Sequence, residues 1–440
     1  MYVTDIEITD LRCFEGTQSI SLDRGDGTYA GWTVFAGRNG SGKSTLLKAI
    51  ALSCVGPLVA RSLVGVFSGW VRQGNERGTI ATRLDFDERD RFFSSGATPT
   101  HAIWTGLEWR SQSQAPDVLN EWLAKDPNRS LAPKRGPWSE RPVGWFVAGY
   151  GPYRHLGPMT AEVLRLSQDP VLSRLLNLFH EAATLSDSID WLRDIHARAL
   201  EGKPGMEQLR DDVLRLLADQ LLPDAGLVER VDSDGLWIQR DGVSLPLERV
   251  SDGYRTVTEL VVEIVRRLHG AFGELSLERS PEGHVVCKLP GVVLIDEVDA
   301  HMHVSWQQKI GFWLTSRFPN IQFLVTTHSP FICQAASAKG IIRLPAPGED
   351  RTIEHVSDEL FKAIVNGSAD DAVMSELFGL DHPHSDRAEA LRRRVAKLES
   401  RVLRGLATDQ EKLQYAELKA ELPDNLGELA HQRLRALYQG

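Results

Sequence analysis

A glycine-rich stretch near the N-terminus, VFAGRNGSGKST, carries the residue types that bind phosphate groups. Residues 37–45 fit the pattern G-x-x-x-x-G-K-[ST], between a short apolar strand pattern and apolar residues at helical spacing. Glycine lets a backbone approach a ligand closely, and the N-terminus of the following helix attracts anions. We expect this loop to bind a nucleotide through Gly37, Arg38, Asn39, Gly40, Ser41, Gly42, Lys43, Ser44 and Thr45.

Two adjacent carboxylates, Asp296 and Glu297, follow the apolar run GVVLI. Such a run is typical of a central strand in a parallel sheet, and open α/β sheets bind ligands at the carboxyl ends of their strands. We expect Ser44 and Asp296 to hold Mg²⁺, the latter through water. Glu297 is the candidate catalytic base that polarises the water attacking the γ-phosphate, and Lys43 is expected to reach the β- and γ-phosphates.

A second apolar run, IQFLVT, is followed by THSP. Ser329 is suited to cap a helix whose first residue is Pro330. His328 would then lie at a strand end, where it can bond the γ-phosphate or the attacking water if this strand and the one before Asp296 are neighbours. We therefore include His328 among the catalytic candidates.

The sequence SDGYRT at 251–256 precedes a helix expected to begin near Thr256. A serine and a glycine before a helix can form a second anion site at the helix N-terminus. Most such turns are only caps, and the neighbouring motifs are what favour a function for this one.

The order of these motifs resembles the ABC-type ATPase heads of the SMC, RecF and OLD proteins. The opening segment ITDLRCFEG is also similar to theirs, and the likeness covers about residues 1–345 by motif. GYGPYRHL at 149–156 and VSDGYRT at 250–256 resemble most closely the compact ATPases of prokaryotic anti-phage systems, such as those of Septu and of retrons.

The resemblance implies roles for the motif residues. Residues 37–45 would be the Walker A loop, Asp296 and Glu297 the Walker B pair, and His328 the switch histidine, with ATP and Mg²⁺ as cofactors.

The resemblance also implies an assembly. Arg12 would approach the nucleotide, whereas Ser251 and Gly253 would complete the site of another protomer, so that heads pair as a homodimer or a higher oligomer.

This sequence departs from the family pattern at three places. Asp252 stands where transporter ATPases have a second glycine, His303 replaces the D-loop carboxylate, and no glutamine follows the strand expected at Val143–Ala148. We expect these changes to affect turnover and communication between protomers rather than nucleotide binding. His301 and His303 lack a third ligand, so we expect a surface role for them rather than a metal site.

Composition indicates an ordinary globular chain of 440 residues with a net charge of −10. No apolar run approaches the roughly 20 residues of a membrane helix. The N-terminus is acidic and strand-like, which is unlike a signal peptide. The four cysteines form no C-x-x-C pair, so we expect buried thiols, no zinc site and a cytoplasmic protein.

The remaining patterns predict an α/β P-loop NTPase fold: an ABC-type ATPase head with a helical insert and a C-terminal helical hairpin. Strands are expected at 2–8, 17–22, 32–36, 80–86, 102–109, 143–148, 292–295 and 321–326, and a three-stranded meander at 227–247. The expected domains are an ATPase lobe at 1–155, a helical insert at 156–226 with Ser188 as a cap, a second ATPase lobe at 227–345 and a C-terminal helical region at 346–440.

The C-terminal region is highly charged and has helical spacing over 386–422. Residues 386–404 carry seven basic and three acidic residues, whereas 405–424 carry five acidic and two basic residues. A helical hairpin explains this pattern, with Thr408 as the cap of its second helix. A docking arm for a partner or for DNA is the functional alternative to a solvated hairpin.

The favoured role is an ATP-driven sensor or controller of an anti-phage defence system that works with an effector protein, often a nuclease. One alternative is a RecF-like DNA-repair ATPase, which would bind DNA without a partner. Another is the ATPase subunit of a transporter, against which the altered signature counts. Nucleic acid is a further candidate partner, and a membrane is not. No D-x-D pair follows His328, so we expect the chain itself to cut no nucleic acid.

Overall fold

The computed structural model describes residues 1–93, 98–112, 115–122, 131–153, 160–222, 226–380 and 382–422. Part of the GYGPYRHL segment lies outside the described residues. The chain divides into two units, Met1–Ala372 and Val373–Gly440, which are considered separately below.

The strands of the described residues follow in chain order. They are β1 Tyr2–Thr9, β2 Thr17–Ser21, β3 Gly31–Ala36, β4 Arg77–Asp85, β5 Ile103–Gln112, β6 Ala115–Glu121, β7 Val147–Tyr150, β8 Leu227–Asp232, β9 Gly235–Arg240, β10 Val243–Pro246, β11 Leu277–Arg279, β12 Val285–Cys287, β13 Gly291–Ile295, β14 Ile321–Thr326, β15 Ile341–Arg343 and β16 Glu354–His355.

The α-helices of the described residues are α1 Lys43–Val64, α2 Leu131–Arg135, α3 Ala161–Leu166, α4 Leu176–Phe179, α5 Asp187–Leu200, α6 Met206–Ala218, α7 Asp252–Phe272, α8 Val304–Gln307, α9 Ile310–Arg317, α10 Pro330–Cys333, α11 Asp358–Asn366, α12 Ala369–Val373, α13 Asp386–Leu403 and α14 Asp409–Ala420.

A six-stranded sheet forms the centre of the first unit, in the order β16-β15-β3-β14-β13-β7. Every pairing in it is parallel except that of β16, which is antiparallel to β15. All residues of β13 and β14 are buried, which is why these strands read as continuous apolar runs. The predicted α/β class is confirmed.

A second, antiparallel sheet has the order β2-β1-β4-β5-β6. Helix α1 contacts β4 and β5 of this sheet and β7, β13 and β14 of the central sheet. Gln322, buried in β14, also joins the two sheets: its Oε1 accepts from the Val3 N–H and its Nε2 donates to the Val3 carbonyl, both at 2.8 Å. A buried amide satisfied on both sides fixes the position of β1 against the central sheet.

Helix α1 is broken at Gly56, whose φ of 82° lies in the left-handed region. A Cβ there would lie 2.6 Å from Cγ of Trp138, so the indole needs a glycine beneath it. Among the described residues, α1 alone is long and apolar enough to cross a membrane, which the sequence did not predict because Lys48 and Arg61 interrupt it. Its apolar stretch is 67% buried, as is usual for the core helix of a globular protein.

The predicted meander is formed by β8, β9 and β10, each antiparallel to the next. Its second turn has positive φ at both Asp241 and Gly242, 52° and 79°, as a two-residue hairpin turn requires. Helix α5 of the predicted helical region contacts α7, β8 and β9.

Several details of the sequence prediction were wrong. The strand expected at Val143–Ala148 begins only at Val147, because Gly144 and Trp145 both have positive φ. Ser188 is not a cap: α5 begins one residue earlier, and the buried Ser188 hydroxyl donates to the Glu259 carbonyl at 3.4 Å. Strand β6 was missed because a proline and an aspartate disfavour strands, although an edge strand tolerates them.

The prediction of buried thiols holds for three cysteines and fails for the fourth. Cys54, Cys287 and Cys333 are buried, whereas Cys13 is exposed. Cys13 lies in the turn after β1 rather than in a strand, so it does not share the alternating burial of its neighbours.

The second unit contains the predicted helical hairpin, formed by α13 and α14. Val395 and Leu398 of α13 are buried, and Tyr415 of α14 donates to Glu399 at 2.7 Å across the pair. Thr408 caps α14 as predicted, in a reciprocal capping box with Glu411.

Candidate nucleotide-binding site

The three predicted functional segments meet at the carboxyl edge of the central sheet. Strand β14 lies between β3 and β13 and is parallel to both. The loop 37–45, called the phosphate loop below, follows β3, Asp296 follows β13 and His328 comes two residues after β14. The two strands before Asp296 and His328 are therefore neighbours, as the interpretation of His328 requires.

The phosphate loop folds around the ammonium of Lys43. This side chain is buried and donates to the carbonyls of Gly37 and Arg38 at 2.8 and 3.1 Å. Burial lowers the pKa of Lys43, and the carboxylates of the sheet edge oppose that shift. The buried Ser41 hydroxyl has no hydrogen-bond partner among the described residues. Gly42 precedes α1 with a φ of 89° and offers no side-chain cap, so the helix N-terminus is available to an anion.

The carboxylate of Asp296 joins the loop to the sheet. Its Oδ1 accepts a hydrogen bond from the Ser44 hydroxyl at 3.0 Å and another from the Thr326 hydroxyl at 2.6 Å. Asp296 itself is almost fully buried, with 3% of its surface exposed. A buried carboxylate beside a hydroxyl supplies the hard oxygen ligands that Mg²⁺ prefers.

Glu297 is held by the same threonine. Its backbone N–H donates to the Thr326 hydroxyl oxygen at 2.8 Å. Its φ is 45°, a left-handed conformation that costs about 1–2 kcal/mol in a residue other than glycine. Its side chain is half-buried, whereas that of Asp296 is buried. One hydroxyl therefore positions both acidic residues, as donor to the first and acceptor from the second.

Asp299 holds the loop that carries His328 through two hydrogen bonds. Oδ1 of Asp299 accepts hydrogen bonds from the Thr327 hydroxyl and, at 3.4 Å, from the His328 N–H. The next residue, Ser329, donates to Oε1 of Gln307 at 2.7 Å and caps α10, as the sequence predicted. The backbone is thus restrained on both sides of the exposed His328 side chain.

The turn after β1 covers the phosphate loop. An ideal Cβ on Gly42 would lie 2.5 Å from Sγ of Cys13 and 2.7 Å from Cζ of Phe14, so only glycine fits. Arg12, predicted to approach the nucleotide, has its guanidinium 4.5 Å from the ring centroid of Trp70, where its charge faces the indole. The structure thus places the Arg12 turn beside the loop and stacks the side chain itself on an aromatic ring.

A second cation, Lys48, lies one turn beyond Ser44 on α1 and was missed from the sequence. Burial lowers the pKa of Lys48, the charge of Asp296 opposes this shift, and that of Arg12 adds to it. Lys48 therefore lies within the electrostatic field of Asp296. Its spacing of four residues from Ser44 was a usable signal, since such residues share a helix face.

Ser251 is exposed at the N-terminus of α7, and its side chain makes no capping hydrogen bond. The helix begins at Asp252, a full turn before the predicted start near Thr256. A 21-residue helix whose first turn lacks a side-chain cap can accept an anion at its N-terminus.

Gly253 packs against the segment that follows the acidic pair. A Cβ on it would lie 3.6 Å from the His303 nitrogen and 3.7 Å from the His301 carbonyl oxygen. His303 is the N-cap of α8 and accepts from the Ser305 N–H. No group of three potential metal-ligating side chains occurs in the part of the chain that the structure describes.

Four polar residues of this edge were missed from the sequence: Asp299, Gln307, Thr326 and Thr327. The run TTHSP predicts a histidine at a strand end and a helix cap, but no role for its two threonines. Thr326 could have been recognised because it ends a buried strand, where its hydroxyl needs a hydrogen-bond partner at the edge that bears the acidic pair.

Comparison with known families relates the chain to AAA-type ATPases. Residues 5–94 match a family model described as an AAA domain. Residues 163–334 match a second AAA-domain model, whose description also names an AbiEii toxin of a Type IV TA system. Both matches fall in the first unit, and the second includes Ser251, Gly253, Asp296, Glu297 and His328.

Curated relatives include a Retron Ec83 probable ATPase of Escherichia coli, 39% identical over 24% of this chain and 18% of that protein. Septu protein PtuA of Bacillus mycoides (strain KBAB4) is 24% identical over 77% of this chain and 39% of its own length. The chain thus matches well under half the length of these relatives. A solved structure of the SmcHead bound to the C-winged helix domain of ScpA covers 82% of this chain and 99% of its own, at 14% identity and a TM-score of 0.47.

Replacing Thr326 tests whether its hydroxyl positions both acidic residues. Thr326→Val keeps the shape but removes the hydroxyl that accepts from the Glu297 N–H and donates to Asp296, which should cost on the order of 1–3 kcal/mol in unfolding free energy. Turnover of ATP should fall by about tenfold or more, because a small displacement of reacting groups is costly.

Thr326→Ser is the matched control, since it keeps the hydroxyl and should restore most of the turnover. Urea unfolding and steady-state phosphate release measure both effects. Equal turnover in the valine and serine variants would contradict the positioning role.

Proposed function

We propose that this chain, a relative of AAA-family ATPases, binds ATP with Mg²⁺ at the phosphate loop and hydrolyses it. We further propose that it acts in a prokaryotic anti-phage defence system as the ATP-dependent sensor or controller of an effector protein. The observation that carries the ATPase proposal is the pair of hydroxyl bonds to Asp296, which joins the phosphate loop to the strand end bearing the acidic pair.

The residues of the site fit a nucleoside triphosphate and a divalent cation. Lys43, the Ser41 hydroxyl and the N-terminus of α1 supply donors to phosphate oxygens, while Ser44 and Asp296 supply oxygens to Mg²⁺. Bound Mg²⁺ would neutralise charge on the transferring phosphate.

Hydrolysis requires a base and a positioned water. The backbone of Glu297 is held in one conformation by its left-handed φ and by the hydrogen bond of its N–H. We assign its carboxylate to accept the proton of the attacking water. His328, held through Asp299, would donate to the γ-phosphate or orient the water.

We also propose that two heads share a site. Arg38, Asn39 and Gly40 of the phosphate loop are exposed, and so are His328 and Ser251. A second copy that covers this edge would exclude water, and its Ser251 and Gly253 would add donors to the γ-phosphate. ATP would then act as the link between the two heads.

The defence role rests on the names of the relatives, a retron ATPase and a Septu protein. Control of an effector, with a nuclease as the leading candidate, fits a chain whose second unit contains a charged helical hairpin. Neither this assignment nor the identity of the effector is needed for the ATPase proposal.

Lys43→Ala and Glu297→Gln separate binding from hydrolysis. The first removes the charge opposite the phosphates and should weaken ATP binding on the order of 100-fold. The second keeps the shape but removes the base, so binding should persist while hydrolysis falls on the order of 100-fold or more. Fluorescent-nucleotide titration and phosphate release measure the two effects.

Both variants should also abolish protection when phage infects cells that carry the chain with its neighbouring genes. Wild-type hydrolysis by Glu297→Gln would refute the catalytic assignment. Full protection by both variants would refute ATP-dependent control of defence, and a wild-type chain that gives no protection would refute the defence role alone.

Assembly is tested in the Glu297→Gln background, in which ATP should persist and stabilise a two-head dimer. Adding Ser251→Arg should prevent that dimer through bulk and charge beside the nucleotide. Gly270→Arg is the matched control: it adds the same side chain near the other end of α7, where a Cβ meets nothing within 4 Å. Light scattering with and without ATP gives the mass, and a chain that stays monomeric with ATP would contradict the shared site.

A further inference from the structure

The first helix of the C-terminal hairpin carries a concentration of positive charge that the ATPase site does not use. Helix α13 and the arginine that follows it contain seven basic and three acidic residues, in a chain whose net charge is −10. Because the protein as a whole is acidic, this local excess of positive charge indicates a surface that binds a polyanion.

Four of these cations form a row. Arg387, Arg394, Lys397 and Arg404, called the basic stripe below, are spaced seven, three and seven residues apart, which keeps them on one side of the helix. All four side chains are exposed. With a rise of 1.5 Å per residue, the row is about 26 Å long.

Three acidic groups of the hairpin are engaged with residues outside the basic stripe. Glu389 pairs with Arg393 at 3.0 Å, Glu411 pairs with Arg401 at 3.2 Å, and Glu399 accepts from Tyr415. The basic stripe has no carboxylate partner within 4.0 Å among the residues that the structure describes. As far as the described residues go, its four charges can therefore bind a ligand without breaking an ion pair.

We propose that the basic stripe binds the phosphate backbone of a nucleic-acid duplex, independently of sequence. Duplex DNA presents one negative charge per about 1.7 Å of its axis, so a row of cations about 26 Å long meets phosphates along its whole length. Arginine, which supplies three of the four, binds phosphate oxygens in a bidentate manner.

The composition of the helix disfavours stacking on a single strand and readout of adenine. Residues 386–404 contain no aromatic side chain, so the bases of a single strand have nothing to stack on. They contain no asparagine or glutamine to read adenine edges. A protein partner would need apolar anchors, and the exposed leucines of the hairpin, Leu403, Leu406 and Leu413, lie at and beyond its turn rather than within the stripe.

The test compares two triple variants of the full chain. Arg387→Gln, Arg394→Gln and Arg404→Gln remove three charges from the stripe. Arg198→Gln, Arg210→Gln and Arg215→Gln remove three charges from α5 and α6, where each arginine is already paired with an acidic residue. Both variants change the net charge equally, and circular dichroism and ATP binding verify that both fold.

Binding of a short fluorescent DNA duplex is measured by anisotropy over a series of salt concentrations without nucleotide, so the result is independent of the ATPase proposal. The stripe variant should lose about 10- to 100-fold in affinity, and its slope of log affinity against log salt should fall by about 3. The control should bind as the wild type does.

Equal duplex binding by the wild type and the stripe variant would overturn the proposal, as would a wild-type chain that binds no duplex. Tighter binding of single-stranded DNA would overturn the choice of a duplex. Equal binding of polyglutamate would point to an acidic protein instead of a nucleic acid.

Discussion

The carboxylate of Asp296 accepts hydrogen bonds from hydroxyls that belong to two different elements, and the rest of the site depends on this interaction. Ser44 belongs to the start of α1, and Thr326 ends β14. A buried carboxylate is costly unless its oxygens are bonded, so helix, strand and acid must meet with little freedom. Thr326 extends the same constraint to Glu297, whose backbone it also holds.

The architecture explains why this meeting point is rigid. Helix α1 starts at the phosphate loop and is packed between the strands of two sheets, while Gln322 joins β1 to the central sheet through two backbone hydrogen bonds. The turn after β1 in turn covers Gly42 with Cys13 and Phe14. Each group of the site is therefore supported by a buried element, whereas the face towards solvent, at residues 38–40 and 328, is open to a ligand or a second copy.

Much of this arrangement could be predicted, because some motifs specify their own local structure. The phosphate loop, the two apolar strands and the Ser329-Pro330 helix start are local patterns, and the structure has them where the sequence indicated. Thr326, Asp299 and Lys48 could not be recognised in the same way, because their importance arises from contacts across the sheet edge. Strand β7 begins later than expected because Gly144 and Trp145 have positive φ, and β6 can contain Pro116 because it lies at the edge of its sheet. The propensities of the residues indicate neither feature.

We propose that Asp296, bonded to Ser44, serves Mg²⁺ and not the fold alone. Calorimetric titration of the wild type and of Asp296→Asn with ATP, once with Mg²⁺ and once with EDTA, tests this role. Mg²⁺ should strengthen ATP binding to the wild type, whereas Asp296→Asn should lose this gain and keep the metal-free affinity. The same gain from Mg²⁺ in both proteins would rule out a role of Asp296 in holding the metal.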